Sequence, residues 1–241
     1  MSALHSQKIK DERNAFIEEM YNNLVNKELL ISGDLEVNSR RLHKTMLPVY
    51  IMKHYCESEF NSTYINYIMT NLIECEMLLI LGFKNAGMTS LRAAMESSFK
   101  FLYYEFHPIE NTLHNNNEHN LNGLQYREFL YSFPGLKEIS FMQKDSVERT
   151  WSDLCKYVHS DIHSVETITY VSEISSVLEL ESSKFNTFLR NQKNILKIII
   201  SIFFAVDKNW VEKVEKTYFD AIFEIFEIDE RNEVKQRLQI S

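Results

Sequence analysis

The sequence predicts an all-α protein, a helical bundle with a central antiparallel helix hairpin. Glycine and proline are scarce, with 5 and 3 copies among 241 residues, whereas sheet proteins need turn residues often. Apolar residues recur at helical spacing along most of the chain. Hydrophobic residues make up 44% of it, enough for a full core at this length. We therefore expect a single all-α domain over residues 1–241, within which residues 1–47 could form an N-terminal helical extension.

The central hairpin is predicted from two long apolar segments, 61–83 and 86–106. Both carry apolar side chains on more than one face, and only a central position in a bundle buries such helices. Gly82 and Gly87 bracket the break between them. Pro108 ends the second segment, because the residue before a proline disfavours α geometry.

The remaining elements follow from local signals on either side of the hairpin. Before it, the pattern predicts helices over 11–31 and 35–46 and a new helix that begins after Pro48. After it, the Asn-rich segment 108–124 is predicted to be a loop. Further helices are then predicted as a short one ending at Pro134, one starting at Asp145 or Ser146, and three at about 165–180, 183–206 and 208–227.

Charge and cysteine usage limit the classes of function. The net charge of −8 argues against an extended nucleic-acid surface, but it leaves room for a small basic pocket that binds RNA locally. The cysteines, Cys56, Cys75 and Cys155, are widely separated in apolar segments, which indicates free thiols in a reducing cytosol. The most apolar run, 195–206, is too short to span a bilayer. We expect a cytoplasmic protein with no membrane segment and no cofactor.

Arg92, Glu96 and Lys100 form a charged row at a spacing of four residues. Such a row is commonly the solvated stripe of a helix, where each ion pair contributes little stability. Alternatively, Arg92 lies in a groove and Glu96 orients it. A guanidinium held in that way can bind a phosphate through two parallel hydrogen bonds.

His159 and His163 form an H-x-x-x-H pattern, a spacing at which two imidazoles can bind one metal ion. The residue after the first histidine is Ser160, where a zincin has glutamate, and no third ligand is placed by the sequence. No metal site is therefore predicted. His159 is either a half-buried structural histidine or a general acid–base beside Arg92.

Two stretches carry a family resemblance. "AGMTSLRAAMESSFKFLYYEFHP" and the later "WSDLCKYVHSDIH" together resemble the HEPN-like helical proteins of bacterial defence and abortive-infection systems, over roughly residues 60–165. In that group a helix with an Arg-x-x-x-Glu pattern packs against a later helix that ends in an aromatic residue, a small apolar residue and a histidine. The matching positions here are Arg92, Glu96, Tyr157, Val158 and His159. The resemblance implies a helical bundle that dimerises and, in active members, cuts RNA without a metal ion.

The sequence departs from the catalytic hallmark of that family, an arginine followed four to six residues later by histidine. Arg149 precedes His159 by ten residues, and no histidine follows Arg190. We therefore expect a non-catalytic or regulatory interaction subunit of an antiviral defence system, binding a protein partner or a second copy of itself. The alternative is a metal-independent endoribonuclease toxin with a composite catalytic site of Arg92, Glu96 and His159. Whether the protein is an enzyme stays open at this point.

Overall fold

The described part of the chain is all-α. The computed structural model describes residues 34–56, 62–80, 83–118, 121–158, 182–207 and 214–240, together with Asp11 and Asn14. These residues form nine α-helices and two short 3-10 segments and contain no strand, which confirms the predicted fold class. The helices are α1 (Asp34–Cys56), α2 (Ser62–Ile80), α3 (Lys84–Phe106), α4 (Pro108–Asn115), α5 (Gly123–Ser132), α6 (Lys144–Val158), α7 (Ser182–Val206), α8 (Lys216–Phe223) and α9 (Ile228–Leu238); the 3-10 segments, Leu136–Glu138 and Ser140–Met142, lie between α5 and α6.

The predicted antiparallel hairpin is confirmed as the pair α2 and α3. Tyr64, near the start of α2, stacks on Tyr104, near the end of α3, with ring centroids 5.3 Å apart. At the other end, a Cβ atom added to Gly87 of α3 would lie 2.9 Å from Cγ of Leu79 on α2. Glycine therefore permits a close approach that a larger residue would obstruct. Because α3 also packs on α5, α6 and α7, it is the central helix of the described bundle.

The apolar run 195–206 forms the second half of α7 and lies in the core. The Phe203 ring is 4.9 Å from that of Phe101 on α3. Lys197 interrupts the run, and its side chain is only 7% exposed; its ammonium group pairs with Glu230 of α9 at 2.6 Å. A buried charge of this kind needs such a partner. None of the helices in the described segments is long and apolar enough to cross a membrane.

The predicted helix break at Pro48 is wrong. A single helix, α1, runs through Pro48 from Asp34 to Cys56. A proline inside a helix removes one backbone hydrogen bond and costs about 3 kcal/mol. Met46, Val49 and Met52 on both sides of it are fully buried, and burying such side chains contributes about 1.5–3 kcal/mol each. Core packing thus outweighs the local effect of the proline.

The predicted loop over 108–124 is also wrong in its first half, which forms α4. Pro108 occupies the first turn of this helix, where its missing N–H group costs nothing. His114 stacks on Tyr104 at a centroid distance of 5.1 Å, and this contact packs α4 against α3. The Asn-rich composition therefore marks only the turn that follows, before Asn122 caps α5 by accepting a hydrogen bond from the Gln125 N–H.

The last predicted helix, 208–227, is divided differently in the structure. Within its described part, α8 ends at Phe223 and a turn follows. A new helix, α9, begins at Ile228, where Glu227 and Glu230 form a reciprocal capping box. The predicted helices at 11–31 and 165–180 lie outside the described residues, apart from Asp11 and Asn14.

The free cysteines agree with the sequence analysis as far as they are described. Cys75 is buried in α2 and Cys155 is half-buried in α6, and both are free. Burial, reinforced by the charge of Glu76, raises the pKa of the Cys75 thiol. This thiol is consequently a structural core residue and a poor nucleophile.

A buried polar triad joins α1 to α2. His43 Nδ1 lies 3.0 Å from Glu76 Oε1, and the Tyr50 hydroxyl donates a hydrogen bond to Glu76 Oε2 at 3.1 Å. His43 and Glu76 are both buried. A carboxylate in the core needs such partners to offset its lost hydration, so this triad fixes the register between the two helices.

Candidate functional site

The two helices that carry the resemblance, α3 and α6, lie side by side as expected. The Phe99 ring of α3 is 6.2 Å from the Trp151 ring of α6. The Arg92 guanidinium carbon lies 4.5 Å from the centroid of the same indole. Trp151 belongs to the buried stripe of α6. The arginine singled out by the sequence therefore meets an aromatic residue on the neighbouring helix, in cation–π geometry.

A second guanidinium from a third helix meets the same indole. The Arg127 guanidinium carbon of α5 lies 4.8 Å from the Trp151 ring centroid. Arg127 also donates from Nε to Glu148 Oε1 at 3.0 Å and from Nη1 to the Gly123 carbonyl at 3.2 Å. We refer to Arg92, Trp151 and Arg127 as the Arg–Trp–Arg cluster. The sequence does not single out Arg127, because only tertiary packing brings α5 next to Trp151.

Glu148 is held by two hydrogen-bond donors at the edge of the cluster. The Tyr131 hydroxyl donates to the same Oε1 atom at 2.7 Å. Burial by itself would raise the pKa of Glu148, but the hydrogen bonds from Tyr131 and Arg127 and the positive charge of Arg127 outweigh burial. The pKa of this carboxyl group therefore lies below its ordinary value.

This lowered pKa predicts how stability depends on pH. Glu148 adds to stability above its ordinary pKa of 4.5, and that contribution is lost as the pH falls from there through the folded pKa. We expect Glu148→Gln to destabilise the protein at pH 7, and the difference from wild type to shrink as the pH falls below 4.5 in urea denaturation. The exposed Glu128→Gln control should show little difference at either pH. A Glu148→Gln effect that is independent of pH would contradict the assignment.

Glu96, the residue expected to orient Arg92, pairs instead with Lys100. The Lys100 ammonium lies 3.9 Å from Glu96 Oε1. The Nε atom of Arg92 is shielded from water and has no hydrogen-bond partner in the described structure. Thus the described contacts of Arg92 are with an aromatic ring, and its positive charge is not matched by a described carboxylate.

The remaining predicted site residues lie further along α6 or beyond it. Tyr157 contacts the ring of Phe188 on α7, at a centroid distance of 6.2 Å. It lies about 9 Å along the helix axis from Trp151, the residue that meets Arg92. His159 and His163 lie outside the described residues. The composite site of Arg92, Glu96 and His159 accordingly stays a prediction.

A row of aromatic rings lies at the other end of α3. Tyr103 stacks on His107 at 4.0 Å, and His107 meets Phe129 at 4.9 Å. Phe129 is followed by Phe133 at 5.8 Å, and Phe133 by Phe106 at 5.0 Å. Phe106 is 47% exposed. We call Phe106, Phe129 and Phe133 the aromatic surface.

The described structure is thus an all-α bundle with two distinctive features along its central helix, to each of which other segments contribute, the Arg–Trp–Arg cluster and the aromatic surface. Within the described segments, no three His, Cys, Asp or Glu side chains are arranged to hold a metal ion. The chain matches no protein-family model, no curated protein and no solved structure.

Proposed function

We propose that the chain is a non-catalytic, HEPN-like interaction subunit of a prokaryotic antiviral defence system, which binds a protein partner through its aromatic surface. The observation that carries the proposal is the exposure of this surface. Phe106 leaves nearly half of its side chain in water although it packs on Phe133. Exposed clusters of apolar side chains mark interaction sites, and aromatic residues are enriched where binding energy concentrates.

The surroundings of the aromatic surface suit an apolar segment of a partner. Ile109, in the first turn of α4, is 73% exposed. A groove of about 450 Å³ borders Phe133 and is lined on its other side by the end of α7 and the end of α9. An apolar side chain that entered the groove would leave water, at a gain of roughly 25 cal/mol per Å² of buried area.

The negative charge of the chain indicates which charges the partner carries. Glu110 follows Ile109 and Glu128 precedes Phe129 in the chain, so that α4 and α5 each carry a carboxylate one residue away from an apolar residue of this region. The chain as a whole carries a net charge of −8. Complementary charge speeds association and excludes wrong partners. We therefore infer that the partner presents an apolar segment flanked by lysine or arginine.

The pairing of charges in and beside the Arg–Trp–Arg cluster supports a non-catalytic role. Arg127 is bound to Glu148, and Lys100 pairs with Glu96. A second candidate function, a metal-independent endoribonuclease, is favoured by one observation, the absence of a carboxylate partner for Arg92 among the described residues. In that case Arg92 would stabilise charge at the attacked phosphorus while His159 acts on the ribose hydroxyl proton.

Co-purification tests the docking proposal. The chain is co-expressed with the products of its neighbouring genes, and the complex is isolated through a tag on the chain. The variant Phe106→Asp/Ile109→Asp is expected to lose the partner, because two carboxylates replace the apolar side chains that would contact it. The control Val37→Asp/Ile228→Asp adds the same charge at exposed positions on α1 and α9 and should retain the partner.

Two outcomes would overturn this assignment. One is retention of the partner by the Phe106→Asp/Ile109→Asp variant. The other is a wild-type dimer, seen by light scattering, that the same variant dissociates. That result would assign the aromatic surface to a second copy of the chain.

A further inference from the structure

Three helices end at the groove that borders Phe133. They are α5, which ends at Ser132, α7, which ends at Val206, and α9, which ends at Leu238. The last residues of α7 and α9 line the groove, together with the turn 133–135 that follows α5. We propose that this groove binds an arginine side chain of the partner. The inference rests on the proposed docking function for the existence of a partner, whereas the chemistry of the groove is argued independently.

The groove has room for a long side chain. Its volume is about 450 Å³, within the range of about 300–1,000 Å³ that is typical of ligand sites. Phe133, Ala205 and Val206 line it with half-buried apolar side chains. The aliphatic part of an arginine can pack on such side chains while its charged group remains with polar atoms.

The helix ends give the groove a negative electrostatic character. The last carbonyl groups of a helix have no donor within the helix, and this end carries a partial negative charge. No backbone N–H group of the described residues donates to the carbonyl oxygens of Val206, Arg237 or Leu238. Three such ends at one groove favour a cation. A guanidinium group suits them best, because its five donors lie in one plane and can bond to carbonyl groups of more than one helix.

The charged residues at the groove also favour a cation. Arg237 and Asp207 both line it. Arg237 Nη1 pairs with Glu138 Oε2 at 2.7 Å, so the positive charge of this arginine is matched. Asp207 directly follows the end of α7 and adds a negative charge there. The two carboxylates outnumber the single arginine, and a second cation is therefore attracted to the groove.

The groove continues the aromatic surface. Phe133 belongs to both, and its ring centroid lies 5.0 Å from that of Phe106. An extended segment advances about 3.3 Å per residue, so a partner residue roughly two to four positions from the one that contacts Phe106 reaches the groove. The inference thus specifies the partner as a segment with an apolar residue and an arginine at this spacing.

Binding of small arginine derivatives tests the groove without the partner. N-acetyl-arginine methylamide and its citrulline analogue have nearly the same shape, but only the first carries a charge. We expect the arginine derivative to shift the methyl NMR signals of Val206 and Leu238 in the full chain in a saturable manner. It should bind at least about fivefold more tightly than the citrulline derivative, because each helix end favours a cation modestly. This preference should fall as salt is added, because ions screen the attraction.

Substitutions at Ala205, which lines the groove, provide a matched pair. Ala205→Lys supplies a cation from the chain itself and should abolish the preference for arginine over citrulline. Ala205→Gln adds a long side chain without charge and should keep the preference. In co-purification, Ala205→Lys should recover less partner than Ala205→Gln. Should Ala205→Lys fail to fold, Asp207→Asn should reduce the preference, while the control Asp220→Asn, at an exposed position on α8, should not.

Several results would overturn the proposal. They are equal binding of the two derivatives, no saturable shift of the Val206 and Leu238 signals, and a preference that Ala205→Lys leaves unchanged. Tighter binding of the norleucine derivative would assign the groove to an apolar side chain, and a wild-type dimer that Ala205→Lys dissociates would assign it to a second copy of the chain. Either result would also overturn it. Docking at the aromatic surface fails separately, if Phe106→Asp/Ile109→Asp retains the partner.

Discussion

Replacing Glu76 with alanine is expected to lower the free energy of unfolding by about 3–5 kcal/mol, because it breaks a buried, hydrogen-bonded pair and strands the remaining partner. Glu76 is fully buried and accepts hydrogen bonds within the triad with His43 and Tyr50. Urea denaturation at pH 7 measures the loss. The exposed neighbour provides a matched control, since Glu74→Ala on the same helix should change stability by no more than about 0.5 kcal/mol.

Comparable small losses in both variants would contradict the buried triad. Glu76→Gln refines the test. The amide keeps the shape of the carboxylate but has one acceptor oxygen in place of two and no charge, so we expect a loss between those of the alanine variant and wild type. The difference between the alanine and glutamine variants then measures what side-chain packing and the remaining acceptor contribute.

Leu79→Ala is expected to cost about 2–5 kcal/mol, since it opens a cavity where α2 packs closely on Gly87 of α3. Leu79 is fully buried, and Leu102→Ala on α3 should cost a similar amount for the same reason. Thermal and urea denaturation give the two values. A loss below about 0.5 kcal/mol at both positions, the range of ordinary surface substitutions, would show that the hairpin is not central.

A double-mutant cycle sharpens this result. Gly87→Ala alone should destabilise the protein, because its new Cβ atom would lie 2.9 Å from Leu79 Cγ and 3.3 Å from the Cys75 carbonyl oxygen. In Leu79→Ala/Gly87→Ala the leucine side chain is gone, so the double variant should be more stable than the sum of the two single losses indicates. Simple additivity would mean that the two residues are not in contact.

The sequence predicts the helices best where packing and local signals agree. The hairpin of α2 and α3 and the apolar run of α7 are found as expected. A helix that is apolar on several faces can bury them only at the centre of a bundle. Pro48 and the Asn-rich segment after Pro108 are two exceptions. Each is a local signal for a break, but burial of the side chains around Pro48 and the stacking of His114 on Tyr104 favour a helix.

The candidate site is predictable only in part. The sequence singles out Arg92 and the packing of its helix against α6. It does not reveal that Trp151 is the contact, because a tryptophan in an apolar stripe usually serves only the core. Arg127 comes from a third helix, and no spacing along the chain connects it to Arg92. Contacts between three helices depend on the tertiary fold, which periodicity alone does not determine.

The proposed function is the binding of a partner without catalysis of a reaction. Its most direct test is protection of host cells against phage by the chain expressed with its neighbouring genes. We expect Phe106→Asp/Ile109→Asp to abolish protection, and His159→Ala, which removes the proton-transfer group of the alternative nuclease, to retain it at equal protein levels. Loss of protection in His159→Ala, with full protection in the aromatic-surface variant, would contradict the account and support catalysis.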